Sequence, residues 1–301
     1  MMHFPRLSEE LFTIRDWLRF TVSRFEESDI FFGHGTDNSY DEAVWLILSA
    51  LHLPHDTLHN FLDAVITEQE RKHLANLIEQ RITKRTPTAY LVREAWLRGF
   101  KFYVDERVIV PRSFIAELLE DGLQPWIEYP EMVDSAADIC TGSGCLGILL
   151  AEAFPNAAID VVDISPDAIA VANINIANYG LQEQITAIQS DMFTALKGKK
   201  YDLIISNPPY VDAPSMAELP AEYRNEPQLA LGSGKAGLDH THTILREAAK
   251  HLNDGGILVV EIGHNRDALL EAYPKLPFTW LEVESGNQFV FLLTKEQLKA
   301  V

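Results

Sequence analysis

The run Tyr201-Asp202-Leu203-Ile204-Ile205-Ser206 reads as a buried strand, and Asn207-Pro208-Pro209-Tyr210 brings it to an abrupt stop. Two consecutive prolines cannot donate to a sheet ladder, so the chain must leave the sheet there with its carbonyls facing open space. The Asn207 side-chain oxygen and the Pro208 carbonyl can then both accept hydrogen bonds from one planar NH2 group. The ring of Tyr210 can lie against the flat face of that group. Such a strand end is a receptor for an amide or an amino-purine nitrogen.

Upstream, Asp138-Ile-Cys140-Thr141-Gly142-Ser-Gly144-Cys145-Leu-Gly147 follows an apolar stretch and opens a helix-like run from Leu146 to Phe154. Ala158 to Asp163 then reads as a strand ending in a carboxylate. Glycines allow a ligand to approach the backbone, and a carboxylate closing the next strand commonly holds a ribose diol. A glycine run alone also closes ordinary tight turns. Joined to Asp163 and to Asn-Pro-Pro-Tyr, it describes N-methylation from S-adenosylmethionine (SAM).

From Asp134 onward, strand and helix patterns alternate, as in a doubly wound parallel sheet. Seven strands are predicted near 136–140, 158–163, 185–189, 201–206, 256–262, 279–284 and 288–294. Ser165-Pro166-Asp167 is a good helix start, with proline at the first helical position. The last two strands flank Ser285-Gly286-Asn287 and read as a hairpin, which makes the final strand antiparallel. That ending separates a methyltransferase sheet from a dinucleotide dehydrogenase.

Ligands of such sheets sit beyond the carboxyl ends of the strands. Asp138, Cys140, Thr141, Gly142 and Gly144 are therefore expected around the cofactor, with Asp163 on the ribose hydroxyls. Asp191 is expected at the adenine amino group, and Met192 or Phe193 against the adenine face; a helix cap is the plainer role for Asp191. Asn207 is expected to border the cofactor and, with Pro208 and Tyr210, to carry the transfer chemistry. Cys140 and Cys145 read as small linings of a nucleoside pocket, with no base to activate a thiol. His52, His55 and His59 share a helical face but lack a carboxylate cluster, so no metal is expected.

Residues 1–98 read as a helical substrate-recognition domain, 99–112 as a β-hairpin linker and 113–301 as the methyltransferase domain. Leu11, Ile14, Trp17, Leu18 and Phe25 fall at helical spacing after Ser8. Ser39 with Glu42, and Thr67 with Glu70, have the spacing of capping boxes. In the linker, Phe100, Phe102 and Val104 alternate, as do Val108 and Val110; Ser113 could cap Phe114 to Leu119. Tyr210 to Asp239 is a long aperiodic stretch, the kind that is usually functional, and is expected to cover the acceptor. No internal repeat or low-complexity tract interrupts this order.

The formal net charge of -19 over 301 residues opposes a phosphate backbone and favours basic partners, which disfavours free duplex DNA. No apolar run approaches the ~20 residues of a membrane span. Met1 to Arg19 carries charges throughout and lacks a signal-peptide core, so a cytoplasmic protein is expected.

Several motifs resemble, in order and spacing, the protein-(glutamine-N5) methyltransferases from about residue 85 onward. They are Arg85-Thr-Pro-Thr-Ala-Tyr-Leu91, Val110-Pro-Arg-Ser113, Asp138 to Cys145 and Asp163-Ile-Ser-Pro166. They continue with Ser190-Asp-Met-Phe193, Ser206 to Tyr210, Glu222-Tyr-Arg-Asn-Glu-Pro227 and Val260-Glu-Ile-Gly263. Cys-Thr-Gly-Ser-Gly-Cys and Pro-Arg-Ser resemble the branch that modifies large-subunit ribosomal protein three. The branch acting on the Gly-Gly-Gln tip of release factors usually has Gly-Thr-Gly-Thr-Gly and Pro-Arg-Pro-Glu-Thr. Phe114 stands where the ribosomal branch often has proline, and Asn225 where histidine is usual. The resemblance implies SAM as cofactor and N5-methylation of a glutamine in ribosomal protein three, with the release-factor reaction as the alternative. More distant are an adenine-N6 DNA methyltransferase, which would need a basic cleft and a flipped base, and a SAM-binding ribosome-assembly factor.

Overall fold

The computed structural model describes residues 7–299. The chain begins with α1 (Leu7–Glu10), α2 (Ile14–Glu27), α3 (Ser39–Ala50), α4 (Leu58–Phe61), α5 (Glu68–Thr83) and α6 (Thr88–Val92). A two-stranded hairpin follows, β1 (Ala95–Leu97) and β2 (Phe100–Phe102), then α7 (Ile115–Glu120). The remainder alternates: β3 (Ser135–Ile139), α8 (Cys145–Ala153), β4 (Ala158–Asp163), α9 (Pro166–Asn178), β5 (Ile185–Gln189), β6 (Tyr201–Ser206) and α10 (Ala213–Glu218). It closes with α11 (Asp239–His251), β7 (Leu252–Glu261), α12 (Arg266–Ala272), β8 (Thr279–Val283), β9 (Gly286–Thr294) and α13 (Lys295–Leu298).

The seven-stranded sheet has the order β5-β4-β3-β6-β7-β9-β8. β5 through β7 are parallel, and β9 runs antiparallel to both of its neighbours, as the terminal hairpin pattern predicts. Period-two alternation sends Val161, Leu203, Ile205 and Val259 to one face and Val162, Ile204, Leu258 and Val260 to the other. The first face packs under α7, α8 and α9, and the second under α11, α12 and α13. Both faces are covered, which is why these strands read as continuous apolar runs. Strand order reverses between β3 and β6, so the site forms at their carboxyl ends. Ser206 Oγ donates to the Ile139 carbonyl at 2.6 Å and fastens those two ends together.

The N-terminal helices enclose a core of their own, built on Trp17, Phe25, Leu46, Ile47, Leu74 and Ile78. The Thr67–Glu70 capping box forms as expected. The one expected at Ser39 does not: Asn38 caps α3 by accepting the Asp41 N–H at 2.9 Å. Glu42 instead turns inward to Arg81, and Ser39 Oγ donates to Glu26. Nor does one helix run on from Ser8, because Thr13 caps a fresh start at Ile14. The hairpin lies at Ala95–Phe102 rather than across 99–112, turning at Arg98-Gly99. Val104, Val108 and Val110 are buried, but in an irregular segment whose spacing only imitates a strand. Ser113 does serve the next helix, accepting the Ile115 N–H at 3.1 Å.

Candidate active site

Two cavities meet at Asn207, which lines both. The first is walled by the loop Cys140–Ser143 after β3, by Asp163 at the end of β4, and by Asp191 and Met192 after β5. Asp163 Oδ2 accepts the Gly142 N–H and Oδ1 the Ser165 N–H, both at 2.9 Å. Each carboxylate oxygen keeps a further lone pair, so a vicinal diol can still be held. Burial pushes the Asp163 carboxyl up despite these bonds. Cys140 and Met192 sit at φ 64 and 44, two non-glycine residues in the left-handed region beside the cavity. Burial also raises both thiols, Cys145 to about 12, so neither cysteine is a ready nucleophile.

Three expected cofactor residues do not reach this cavity. Asp138 lies 1% exposed beneath the loop, where Thr141 Oγ1 donates to its Oδ2 at 2.5 Å. Its Oδ1 is buried without a partner among the described residues, and burial lifts the carboxyl to about 7. Gly144 serves packing instead: at φ +80, a Cβ there would come within 3.1 Å of Ala172 on α9. Phe193 points into the core and stacks on His251, with ring centroids 4.9 Å apart.

The second cavity, about 710 Å³, opens beyond Asn207 and is lined by Pro208, Pro209, Tyr210, Phe114, Tyr223 and Glu261. The hairpin residues Trp96 and Leu97, with Glu117 and Glu284, form other parts of its wall. Asn207 Nδ2 donates to the Arg112 carbonyl at 3.1 Å. A carbonyl only accepts, so the amide nitrogen is the end held there and Oδ1 is left to receive a donor. The Pro208 carbonyl takes part in no backbone–backbone hydrogen bond among the described residues. Tyr210 is held from both ends: its hydroxyl donates to Glu261 at 3.2 Å, and its carbonyl accepts Asn265 Nδ2 at 2.7 Å. Glu261 is buried and also accepts Ser113 Oγ at 2.6 Å and the Phe114 N–H at 2.8 Å; burial raises its carboxyl nonetheless.

A family profile described as "Methyltransferase small domain" matches residues 123–219. "Ribosomal protein uL3 glutamine methyltransferase" of Neisseria gonorrhoeae is 61% identical over 295 residues, covering 98% of each chain. The same-named proteins of Neisseria meningitidis serogroup A and Burkholderia pseudomallei are 59% and 53% identical, covering 99% and 96% of each chain. The chain belongs to this family of glutamine methyltransferases. The relatives agree with the ribosomal branch read from Cys140–Cys145 and Pro111–Ser113, despite Phe114 and Asn225. In this member of the family Phe114 stacks on Phe289, with centroids 4.5 Å apart, and Asn225 Nδ2 donates to the Arg85 carbonyl at 2.9 Å.

Several residues around the two cavities have no role predicted from the sequence. Arg112 walls both cavities, and Glu226 grips its guanidinium. Glu261 anchors Tyr210, and His240 borders the first cavity with Nδ1 2.7 Å from Ser233 Oγ. The Pro-Arg-Ser, Glu-x-x-x-Glu-Pro and Val-Glu-Ile-Gly motifs were the available signals for the first three. Nothing in its neighbourhood marked His240.

Proposed function

We propose that this enzyme transfers the methyl group of SAM to the side-chain amide nitrogen of a glutamine in ribosomal protein uL3, across the partition at Asn207. The observation that carries the reading is the shared wall: Asn207 borders both the cavity lined by Asp163 and Asp191 and a second, roomier one. The first cavity fits SAM through the free lone pairs of Asp163, the acceptor and apolar surface of Asp191 and Met192, and the thiol and backbone of the Cys140–Ser143 loop. When bound there, SAM supplies a sulfonium methyl that is already strongly electrophilic.

The difficulty lies with the nucleophile, because the lone pair of a carboxamide is delocalised into its carbonyl. In this reading Asn207 Oδ1 and the Pro208 carbonyl accept the two N–H bonds of the glutamine and turn its remaining lobe toward the methyl carbon. Were the methyl to pass to that nitrogen, the C–S bonding pair would stay on sulfur and positive charge would grow on nitrogen. Those two oxygens and the Tyr210 ring stabilise that charge. The N-methylated amide cation is a strong acid and releases its proton to water, so no strongly basic residue is needed. Positioning of this kind can remove up to ~7–11 kcal/mol of barrier.

The acidic surface suits a basic ribosomal protein, and Glu117 and Glu284 bring acid to the wall of the acceptor cavity. The N-terminal helices α1 to α6 are proposed to hold the body of that protein while its glutamine enters. A cytoplasmic location goes with such a substrate; among the described residues no helix is long and apolar enough to cross a membrane. The test is methyl transfer from isotopically labelled SAM to purified uL3, release factors and duplex DNA in parallel, with mass spectrometry placing the label. Label on a uL3 glutamine alone is the expected result. Label on a release factor would overturn the substrate, and label on DNA would overturn the glutamine-methyltransferase reading.

A further inference from the structure

Glu222 and Glu226, in the segment after Tyr210, are each 2% exposed yet line neither cavity. Buried carboxylates are costly unless fully partnered, and both are. Glu226 takes the Arg112 guanidinium in a two-pronged pair, Nη1 to Oε1 at 2.6 Å and Nη2 to Oε2 at 2.7 Å. It also accepts the Val110 N–H at 2.9 Å, and His34 Nε2 lies 3.5 Å from Oε1. Tyr223 completes the packing, its ring centroid 5.2 Å from the Arg112 guanidinium carbon and 4.5 Å from that of His34. Residues 110–112 are thereby fixed in both backbone and side chain.

The far end of that fixed stretch is the Arg112 carbonyl, the group that accepts Asn207 Nδ2. We propose that Glu226 is a positioning residue for methyl transfer: acting through Arg112, it sets which way round the Asn207 amide sits. The proposal rests on the reading of Asn207 as receiver of the acceptor NH2. Turned over, the Asn207 amide would present its own NH2 to the substrate's, donor against donor. Glu222 holds the other end of the segment to the N-terminal helices, accepting the Phe31 N–H at 3.1 Å and Arg81 Nη1 at 3.2 Å. His34 comes from the same helical region, so that region bears on the transfer site itself.

The experiment compares the full-length wild type with Glu226→Ala and Glu226→Gln. It measures kcat and KM for uL3, Kd for SAM, and solvent exchange of the Asn207 side-chain NH2 by 15N NMR. Glu226→Ala is expected to lower kcat about 100-fold, the effect of a small misplacement of a reacting group. KM and Kd should stay within about threefold, since Glu226 itself lines neither cavity. Glu226→Gln should recover part of the loss, because its amide oxygen keeps one acceptor for Val110 or Arg112. The Asn207 NH2 should exchange faster in Glu226→Ala than in the wild type. A folded Glu226→Ala with wild-type kcat, or with unchanged Asn207 exchange, overturns the proposal. Equal loss of kcat and SAM binding overturns it too, since Glu226 would then shape the cofactor cavity. If Glu226→Ala does not fold, Glu226→Gln, which can no longer take both prongs of the fork, must show a smaller loss of kcat with the Kd for SAM unchanged; wild-type kcat there overturns the proposal. Should the wild type transfer nothing to uL3, the substrate reading fails while the NMR exchange still decides the positioning.

Discussion

Gly263→Ala should disable methyl transfer without touching the cofactor cavity. Gly263 follows β7 at φ +54, and a Cβ built on it lies 2.6 Å from Cε2 and 2.8 Å from Cδ2 of Tyr210. Carbon atoms rest at ~3.5–4.0 Å, so the Tyr210 ring has to retreat by about 1 Å. It is poorly placed to do so, with its hydroxyl on Glu261 and its carbonyl on Asn265. A left-handed alanine adds roughly 1–2 kcal/mol of its own, and overpacking of this kind typically costs about 1–3 kcal/mol. A displacement of ~1 Å at a reacting centre can cost about 100-fold in rate, equivalent to about 2.7 kcal/mol. Gly263 and Tyr210 line the second cavity and not the first, so SAM affinity should hold. Urea unfolding, calorimetric SAM binding and single-turnover transfer on one preparation read the three quantities. A folded variant with wild-type transfer would refute the role given to the Tyr210 ring; equal loss of SAM binding would refute the separation of the cavities.

Asp163→Ala should weaken SAM binding about 10- to 100-fold, the loss of hydrogen bonds to a charged group worth ~1.5–3 kcal/mol; unchanged affinity removes Asp163 from the cofactor site. Arg81→Met leaves Glu42 and Glu222 buried without their shared cation and should cost ~3–5 kcal/mol in denaturant unfolding. A loss under about 1 kcal/mol would mean that water reaches the pair. At Glu226, burial opposes the charge, but the Arg112 fork and His34 outweigh it and hold the carboxyl at about 2, against 4.5 ordinarily. A depressed carboxyl adds stability that is present above 4.5 and is lost as pH falls toward 2. The stability difference between wild type and Glu226→Gln should therefore shrink on acidification from about 3 kcal/mol toward zero. A difference that ignores pH contradicts the assignment.

The sheet was legible because its strands are apolar runs closed by residues with little other use there: Asp163, and Asn207 before two prolines. The terminal hairpin was legible from Ser285-Gly286-Asn287 between two alternating runs. The linker misled because burial and periodicity part company there. Val104, Val108 and Val110 are covered by neighbours without belonging to any ladder, while Ala95-Trp96-Leu97 is too short to show a period. Glu42 reads as a capping residue by spacing, yet tertiary pairing with Arg81 draws it inward, and Asn38 takes over the cap. Within the candidate site, the sequence groups the loop residues together, but the structure separates those that line the first cavity from those that do not. Asp138, Gly144 and Phe193 share their neighbours' motifs while the backbone turns them toward the core. The ties from Glu226 to Arg112 and from Tyr210 to Glu261 join residues 114 and 51 positions apart, a distance across which local pattern says nothing.

The most direct test of Asn207 as the receiver of the acceptor amide is Asn207→Ala, with SAM Kd and single-turnover transfer to uL3 measured on the same sample. Loss of one transition-state hydrogen-bond partner typically costs ~10²–10³ in rate. Transfer should fall by at least that much while SAM binds nearly as it does to the wild type. Equal loss of both, or transfer at the wild-type rate, would contradict the role assigned to this residue.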